Sequence, residues 1–129
     1  MNMDICIIGL GSMGLNLCLN IISKGYKVRG FDKNNKLIKK LSLYHTKKLI
    51  ICESIKKLFT ATSSQRLVLI SLPSTEIDKC ICQINKYLNK NDIIADLGNS
   101  FFQDTERRYV MAKRNHSHFL GVGVSGGPN

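Results

Sequence analysis

The chain has 129 residues, of which 43% are hydrophobic and 22% charged, so it suits one globular domain with a buried core. Its 19 Lys and Arg outnumber its 9 Asp and Glu, but no run of aromatic side chains accompanies them to stack nucleic-acid bases. We therefore expect no nucleic-acid partner. No apolar segment reaches about 20 residues, so we also expect no membrane partner. The expected location is the cytoplasm.

Short apolar runs alternate with helical periodicities along the chain. The predicted strands are 5–8, 26–31, 49–52, 66–72, 92–96 and 117–122. The predicted helices are 12–24, 37–44, 55–59, 77–88 and 103–115. Thr75 and Asp78 are expected to cap the fourth helix. This order predicts an α/β fold of Rossmann type, a doubly wound, mostly parallel sheet with helices on both faces.

The five cysteines are odd in number and include no Cys-x-x-Cys pair. Four of them lie inside apolar runs, which is typical of small buried side chains in a reducing compartment. The three histidines show no spacing that indicates metal ligands. We therefore expect no disulfide and no metal site.

The stretch Gly9-Leu10-Gly11-Ser12-Met13-Gly14 follows the first predicted strand and opens the first predicted helix. It has the Gly-x-Gly-x-x-Gly spacing of dinucleotide-binding turns. Gly9 permits the tight turn, Gly11 leaves room for a pyrophosphate, and Gly14 lets helix and strand pack closely. The helix N-terminus offers free N–H groups to the phosphates. The alternative is a glycine-rich turn that binds no ligand.

Asp32 ends the second predicted strand, roughly 20 residues after the glycines, where an acid usually accepts hydrogen bonds from the ribose hydroxyls of NAD. The same charge would repel the 2′-phosphate of NADP. Lys33 and Lys36 follow closely and would attract that phosphate. Residue chemistry alone leaves the choice between NAD and NADP open.

Two later stretches, 96–108 and 121–127, are more specific in sequence. Together with residues 9–14 and 87–94, they resemble 6-phosphogluconate dehydrogenase, and the resemblance covers the chain from Ile5 to Gly127. It implies an oxidoreductase of the pentose phosphate pathway that converts 6-phosphogluconate to ribulose 5-phosphate with NADP. The broader β-hydroxyacid dehydrogenases share the first motif and the fold.

The resemblance also implies site residues by position. Those expected to contact the cofactor are Gly9, Leu10, Gly11, Ser12, Met13, Gly14, Asp32, Lys33, Asn34, Ser71, Leu72, Pro73 and Asn99. Those expected to contact the sugar-acid phosphate are Asn99, Ser125, Gly126 and Gly127.

Several positions depart from the family's pattern. Asp32 and Lys33 replace its Asn and Arg at the 2′-phosphate, and lysine lacks the planar fork of arginine. Leu72 replaces a lysine of the cofactor segment. Leu97 replaces a glycine and is expected to crowd Asn99. These changes weaken the case for tight NADP binding, and NAD stays open because of Asp32.

The family's general-base lysine, its glutamate acid and its helical, dimerising domain all lie beyond the matched stretch. We therefore expect residues 1–129 to form an incomplete dinucleotide-binding domain with no catalytic residue, which contacts the substrate only in part. Asp96 and Asp104 are expected to have strand-end and helix-cap roles. The alternatives are a catalytically inactive dinucleotide-binding fragment and an NAD-dependent relative of the β-hydroxyacid dehydrogenases.

Overall fold

The computed structural model describes residues 3–60 and 65–124, and the apolar runs of the sequence form one sheet. Within those ranges the strands are β1 (Asp4–Ile8), β2 (Val28–Phe31), β3 (Leu49–Ile51), β4 (Arg66–Ile70), β5 (Ile93–Asp96) and β6 (His118–Gly121). Neighbouring strands pair in parallel in the order β3-β2-β1-β4-β5-β6. The strand order thus reverses between β1 and β4, as in doubly wound nucleotide-binding sheets. The predicted Rossmann-type fold is confirmed.

Helices connect successive strands. They are α1 (Ser12–Ser23), α2 (Asn35–Ser42), α3 (Ile55–Phe59), α4 (Ile77–Ile84) and α5 (Phe102–Arg114). Two short 3-10 turns, Ser74–Glu76 and Asn85–Tyr87, flank α4. Across the described ranges, none of these helices combines the length and the apolar character that a bilayer span requires.

The two faces of the sheet bury separate sets of side chains, because successive strand residues point to opposite faces. In β1, Cys6 and Ile8 pack in a cluster with residues of α3, α4 and α5. Ile7 packs in a second cluster with residues of α1 and α2. The carboxyl ends of the central strands are thereby held between two helical layers.

The cysteines at positions 6, 18, 52 and 80 are buried, as predicted, whereas Cys82 is exposed. Burial raises the pKa of the Cys6, Cys18 and Cys80 thiols to about 12. A thiol with so high a pKa is a poor nucleophile at neutral pH, because the thiolate is the reactive form. These side chains therefore serve as packing.

A buried ion pair joins the amino ends of β4 and β5. Arg66 Nη2 lies 2.6 Å from Asp92 Oδ2, and the two side chains are 2% and 0% exposed. Asp92 also accepts the backbone N–H groups of Arg66, at 2.9 Å, and of Asn89, at 2.6 Å. The guanidinium lies over the Phe59 ring, 4.7 Å from its centroid, and donates to the Tyr87 carbonyl at 2.6 Å. One charged cluster thus connects α3, β4, β5 and the turn after α4.

The same cluster explains one wrong expectation. The apolar spacing predicts that the fourth helix extends to Leu88, but α4 ends at Ile84 and Leu88 is extended. The Tyr87 carbonyl accepts from Arg66, and this bond to another element accompanies the tightening of the last turn. A contact between residues so distant in sequence is invisible to periodicity.

The capping pair expected at Thr75 and Asp78 is also wrong. Glu76 occupies the N-cap position of α4 and makes no capping side-chain bond. Asp78 instead accepts from Arg107 at 2.8 Å and from Arg108 at 2.9 Å, both on α5. A tertiary ion pair has replaced the local cap. β2 is also shorter than predicted, starting at Val28 rather than at residue 26.

Candidate functional site

The glycine loop, residues 9–14, lies at the carboxyl end of β1, beside the point where the strand order reverses. Gly9 has a φ of +96°, and a Cβ there would lie 2.1 Å from the Ser71 carbonyl oxygen. A Cβ on Gly14 would lie 1.9 Å from the Gly9 carbonyl oxygen. Packing within the protein therefore requires glycine at both positions.

Gly11 is different, because a Cβ there would meet no described protein atom within 4 Å. Its backbone, with φ −64° and ψ −170°, is open to any residue. Gly11 is also the N-cap of α1, whose first turn carries no acidic side chain. The N–H groups of that turn, which includes Ser12 and Met13, face outward with the positive end of the helix dipole. The space above Gly11 suits the close approach of a pyrophosphate.

Asp32 fixes the loop from the neighbouring strand. Its Oδ2 accepts the Leu10 N–H at 2.8 Å, and its Oδ1 accepts the Asn34 N–H at 2.8 Å. A carboxylate offers about four lone-pair positions, so two backbone bonds leave capacity for ribose hydroxyls. Asn34 is the N-cap of α2, and its Oδ1 accepts the N–H groups of Lys36 and Leu37. The amide Nδ2 of Asn34 is the part left for a ligand.

Lys33 forms an ion pair with Glu76, which lies just after β4. The pair borders a cavity of about 220 Å³, which we call the adenosine-side cavity. Its lining consists of Ile8, Gly9, Phe31, Lys33, Ile55, Leu72, Glu76, Lys79, Cys80 and Gln83. Apolar walls with a polar rim suit a flat base attached to a sugar.

The segment after β4 forms one wall of the glycine loop. The Ser71 N–H donates to the Ile8 carbonyl at 2.8 Å, which extends the pairing of β4 with β1 by one residue. The Leu72 side chain lines the adenosine-side cavity. Pro73 turns the chain into the short 3-10 helix that carries Glu76. The positions expected to contact the cofactor at the ends of β1, β2 and β4 are therefore brought together.

Asn99 lines a different cavity, of about 370 Å³, at the carboxyl ends of β5 and β6. Asp96 at its base is buried and accepts the Gly98 N–H at 2.8 Å and the Ser100 hydroxyl at 2.6 Å. Arg108 reaches the same carboxylate at 3.3 Å. Asp96 therefore has the strand-end role expected of it.

Two expectations near this cavity are wrong. Leu97 does not crowd Asn99, because strand alternation places it with Ala95 in the core on the α1 and α2 side. Asp104 does not cap α5, because it pairs with Arg107 at 3.3 Å and the N-cap is Phe101. The expected substrate contacts at 125–127 lie outside the described residues.

Several residues that line the two cavities were not anticipated from the sequence. In the adenosine-side cavity they include Glu76, Lys79 and Gln83, and in the cavity beside Asn99 they include Thr105 and Glu106. Glu76, Lys79 and Gln83 recur at helical spacing in the segment that follows β4. Because ligands of such sheets bind at strand ends, this spacing was a usable signal.

Comparison with known proteins gives a consistent result. Residues 4–129 match a family described as the NAD binding domain of 6-phosphogluconate dehydrogenase. Decarboxylating 6-phosphogluconate dehydrogenases of Klebsiella pneumoniae and Treponema pallidum are 36% and 35% identical to the chain. These matches cover 96% and 98% of this chain, and in each case the chain spans 27% of the relative's length.

Solved structures agree with the sequence comparison. A 6-phosphogluconate dehydrogenase of Plasmodium falciparum, studied alone, with NADP+ and with 6-phosphogluconate, superposes with a TM-score of 0.85 at 31% identity. That match covers 96% of this chain and 27% of the other. A 3-hydroxyisobutyrate dehydrogenase of Mycobacterium tuberculosis gives a TM-score of 0.83 at 20% identity, covering 98% and 42%. The latter likeness concerns the fold alone.

Proposed function

The chain belongs to the family of NAD-binding domains of 6-phosphogluconate dehydrogenase, and from this premise we propose that it binds NADP or NADPH at the glycine loop. The contrast among the three glycines carries the proposal. Packing requires glycine at positions 9 and 14. A Cβ added at Gly11 would meet no described protein atom within 4 Å, so the space above Gly11 suits a ligand. In this proposal the pyrophosphate passes over Gly11, between Leu10 and the first turn of α1.

The remaining cofactor contacts follow from the two cavities. Residues 32–34 take the adenosine ribose and its 2′-phosphate, and residues 71–73 form the wall opposite them. Asn99, in the second cavity, lies toward the nicotinamide and the substrate. Ser125, Gly126 and Gly127 complete the proposed substrate contacts. NAD is the alternative cofactor because Asp32 suits a free 2′-hydroxyl.

For the whole protein we propose the oxidative decarboxylation of 6-phosphogluconate, in the cytoplasm and by a homodimer. The chain spans 27% of the length of the relatives it matches. Its proposed part in the reaction is to hold the dinucleotide and one edge of the sugar acid. We assign the general base and the general acid to no residue of this chain.

Isothermal titration calorimetry with NADP, NADPH, NAD and NADH tests the binding proposal. We expect one dinucleotide site per chain. Gly11→Val should weaken binding by about tenfold or more, because its side chain fills the space proposed for the pyrophosphate. The variant should stay folded, because a Cβ at position 11 meets no described protein atom within 4 Å. Its melting temperature should fall only slightly, through the loss of a glycine N-cap. Absence of binding at millimolar concentration, or equal binding by the variant, would contradict the proposal.

A second candidate is dinucleotide binding without catalysis. The observation that favours it is the commitment of Asp96, which already bonds to Gly98, Ser100 and Arg108 and so is ill placed to move protons. An assay of this chain with 6-phosphogluconate and NADP tests the binding-only candidate, for which we expect no turnover. Turnover at an ordinary enzyme rate would rule out the binding-only candidate.

A further inference from the structure

We propose that Glu76 is a specificity-determining residue that disfavours a 2′-phosphorylated dinucleotide by holding Lys33 in an ion pair. The inference rests on the proposed dinucleotide function of the cleft. Lys33 follows Asp32 at the end of β2, and Glu76 closes the 3-10 turn after β4. The pair therefore links the two strand ends between which the adenosine would lie.

The charges around the adenosine-side cavity explain why the Lys33–Glu76 pair should affect binding of a 2′-phosphate. Asp32 is held by the Leu10 and Asn34 N–H groups, so its negative charge stays at the end of β2. Lys33 is the cation next to it, and Glu76 engages that cation. Lys79 also lines the cavity and forms no ion pair with any described residue.

The two dinucleotides make different demands on this arrangement. A 2′-phosphate carries about two negative charges at pH 7 and needs a cation. To bind Lys33, the 2′-phosphate must compete with the Glu76 carboxylate, and it must also tolerate the negative charge of Glu76. A 2′-hydroxyl needs a hydrogen-bond acceptor. The Asp32 carboxylate supplies one while the Lys33–Glu76 ion pair remains intact. Glu76 should therefore lower affinity for NADP and leave affinity for NAD nearly unchanged.

The pair can open without disturbing the fold. The side chain of Lys33 is 73% exposed and that of Glu76 is 34% exposed. Exposed pairs of this kind contribute little to folding stability. Removal of the Glu76 charge should consequently alter ligand preference in a folded protein.

Calorimetric titration of NADP and NAD into the full 129-residue chain and its variants tests the inference. Glu76→Gln should raise affinity for NADP by about tenfold, the scale of one charge-assisted hydrogen bond, and change affinity for NAD by less than about twofold. The gain should vanish in the double variant Lys33→Gln with Glu76→Gln. Adding Lys79→Gln to Glu76→Gln should preserve most of the gain.

The control is Glu53→Gln, which removes the same charge from an exposed pair with Lys57 and does not line the cavity. It should leave both affinities unchanged. An equal gain for NADP and NAD in Glu76→Gln, or a gain that persists without Lys33, overturns the inference while leaving dinucleotide binding intact. Failure of every variant to bind either dinucleotide overturns the proposed function and this inference with it.

Discussion

Two ion pairs at opposite ends of the strands show how the position of an ion pair changes its role. At the amino ends of β4 and β5, Arg66 and Asp92 are almost fully buried and contact both α3 and the turn after α4. At the carboxyl ends, Lys33 is largely exposed and Glu76 is 34% exposed, and the pair joins the two sides of a cavity. The first pair is positioned to hold the fold, and the second borders the cavity proposed for the dinucleotide.

The difference follows from solvent. A buried charge that loses its partner remains desolvated, which is costly, whereas an exposed charge recovers water. Parallel sheets also bind ligands at the carboxyl ends of their strands, so the amino edge is free to be filled with structural contacts. The comparison therefore predicts large stability effects at one edge, and effects on binding with little change in stability at the other.

The largest expected effect is at Asp92. Asp92→Asn keeps the shape but removes the charge that balances buried Arg66, so the free energy of unfolding should fall by about 3–5 kcal/mol. Urea unfolding followed by circular dichroism measures the loss. Glu53→Gln, which breaks an exposed Lys–Glu pair, is the matched control. A similar small shift for both variants would break the comparison.

Packing also dominates at two glycines at the carboxyl ends of the strands, Gly9 and Gly14. Gly14→Ala should destabilise the fold by about 1–3 kcal/mol, because the added Cβ would lie 1.9 Å from the Gly9 carbonyl oxygen. Alanine is intrinsically the better helix former, so destabilisation here would show that the contact outweighs propensity. Gly11→Ala, in open space, should lower the thermal melting temperature less, because it loses only a glycine N-cap. Equal melting of the two variants would contradict the division of roles within the loop.

The strands were predictable from sequence because buried parallel strands are short apolar runs ended by turn residues. The run at β4, for instance, is marked by Leu67–Ile70 and stopped by Pro73. Where helices end was less predictable. The last turn after α4 depends on Arg66, and the start of α4 depends on a partner for Asp78 that lies on α5. Such contacts join residues distant in sequence and leave no local pattern.

The site was predictable in part for the same reason. The glycine spacing and the acid at the end of β2 are local signals, and the structure places both at the expected strand ends. The pairing of Lys33 with Glu76 is not local, because β2 and β4 are neighbours only through β1. The family resemblance implies a cofactor contact at Lys33 but implies no role for Glu76.

An intermediate case sharpens the comparison. Asp78 is half exposed, but its partner Arg108 is buried. Hydrogen bonds from the Arg108 and then the Arg107 guanidinium lower the pKa of the Asp78 carboxyl to about 2. Since the pKa of an unfolded Asp is about 3.9, this carboxylate stabilises the fold fully above roughly pH 4. That contribution is lost as the pH falls through about 2.

The variant Asp78→Asn isolates this contribution. The difference in unfolding free energy between the wild type and the variant should be constant above roughly pH 5 and shrink toward pH 2. It should be smaller than the effect at Asp92, because water screens an exposed carboxylate and Arg108 keeps its bonds to Asp96 and Ser100. Urea midpoints measured across this pH range provide the test. A difference that grows on acidification would have the wrong sign for a lowered pKa.

The smallest expected effect on stability belongs to Glu76. Glu76→Gln should change the free energy of unfolding by less than about 1 kcal/mol, because both charges of the pair are accessible to water. Raising the salt concentration should shrink even that difference, since screening weakens exposed pairs. Urea unfolding at low and high salt measures it, beside Asp92→Asn under the same conditions. A loss comparable to that of Asp92→Asn would mean that the exposed pair also holds the fold, and the two edges of the sheet would no longer differ in role.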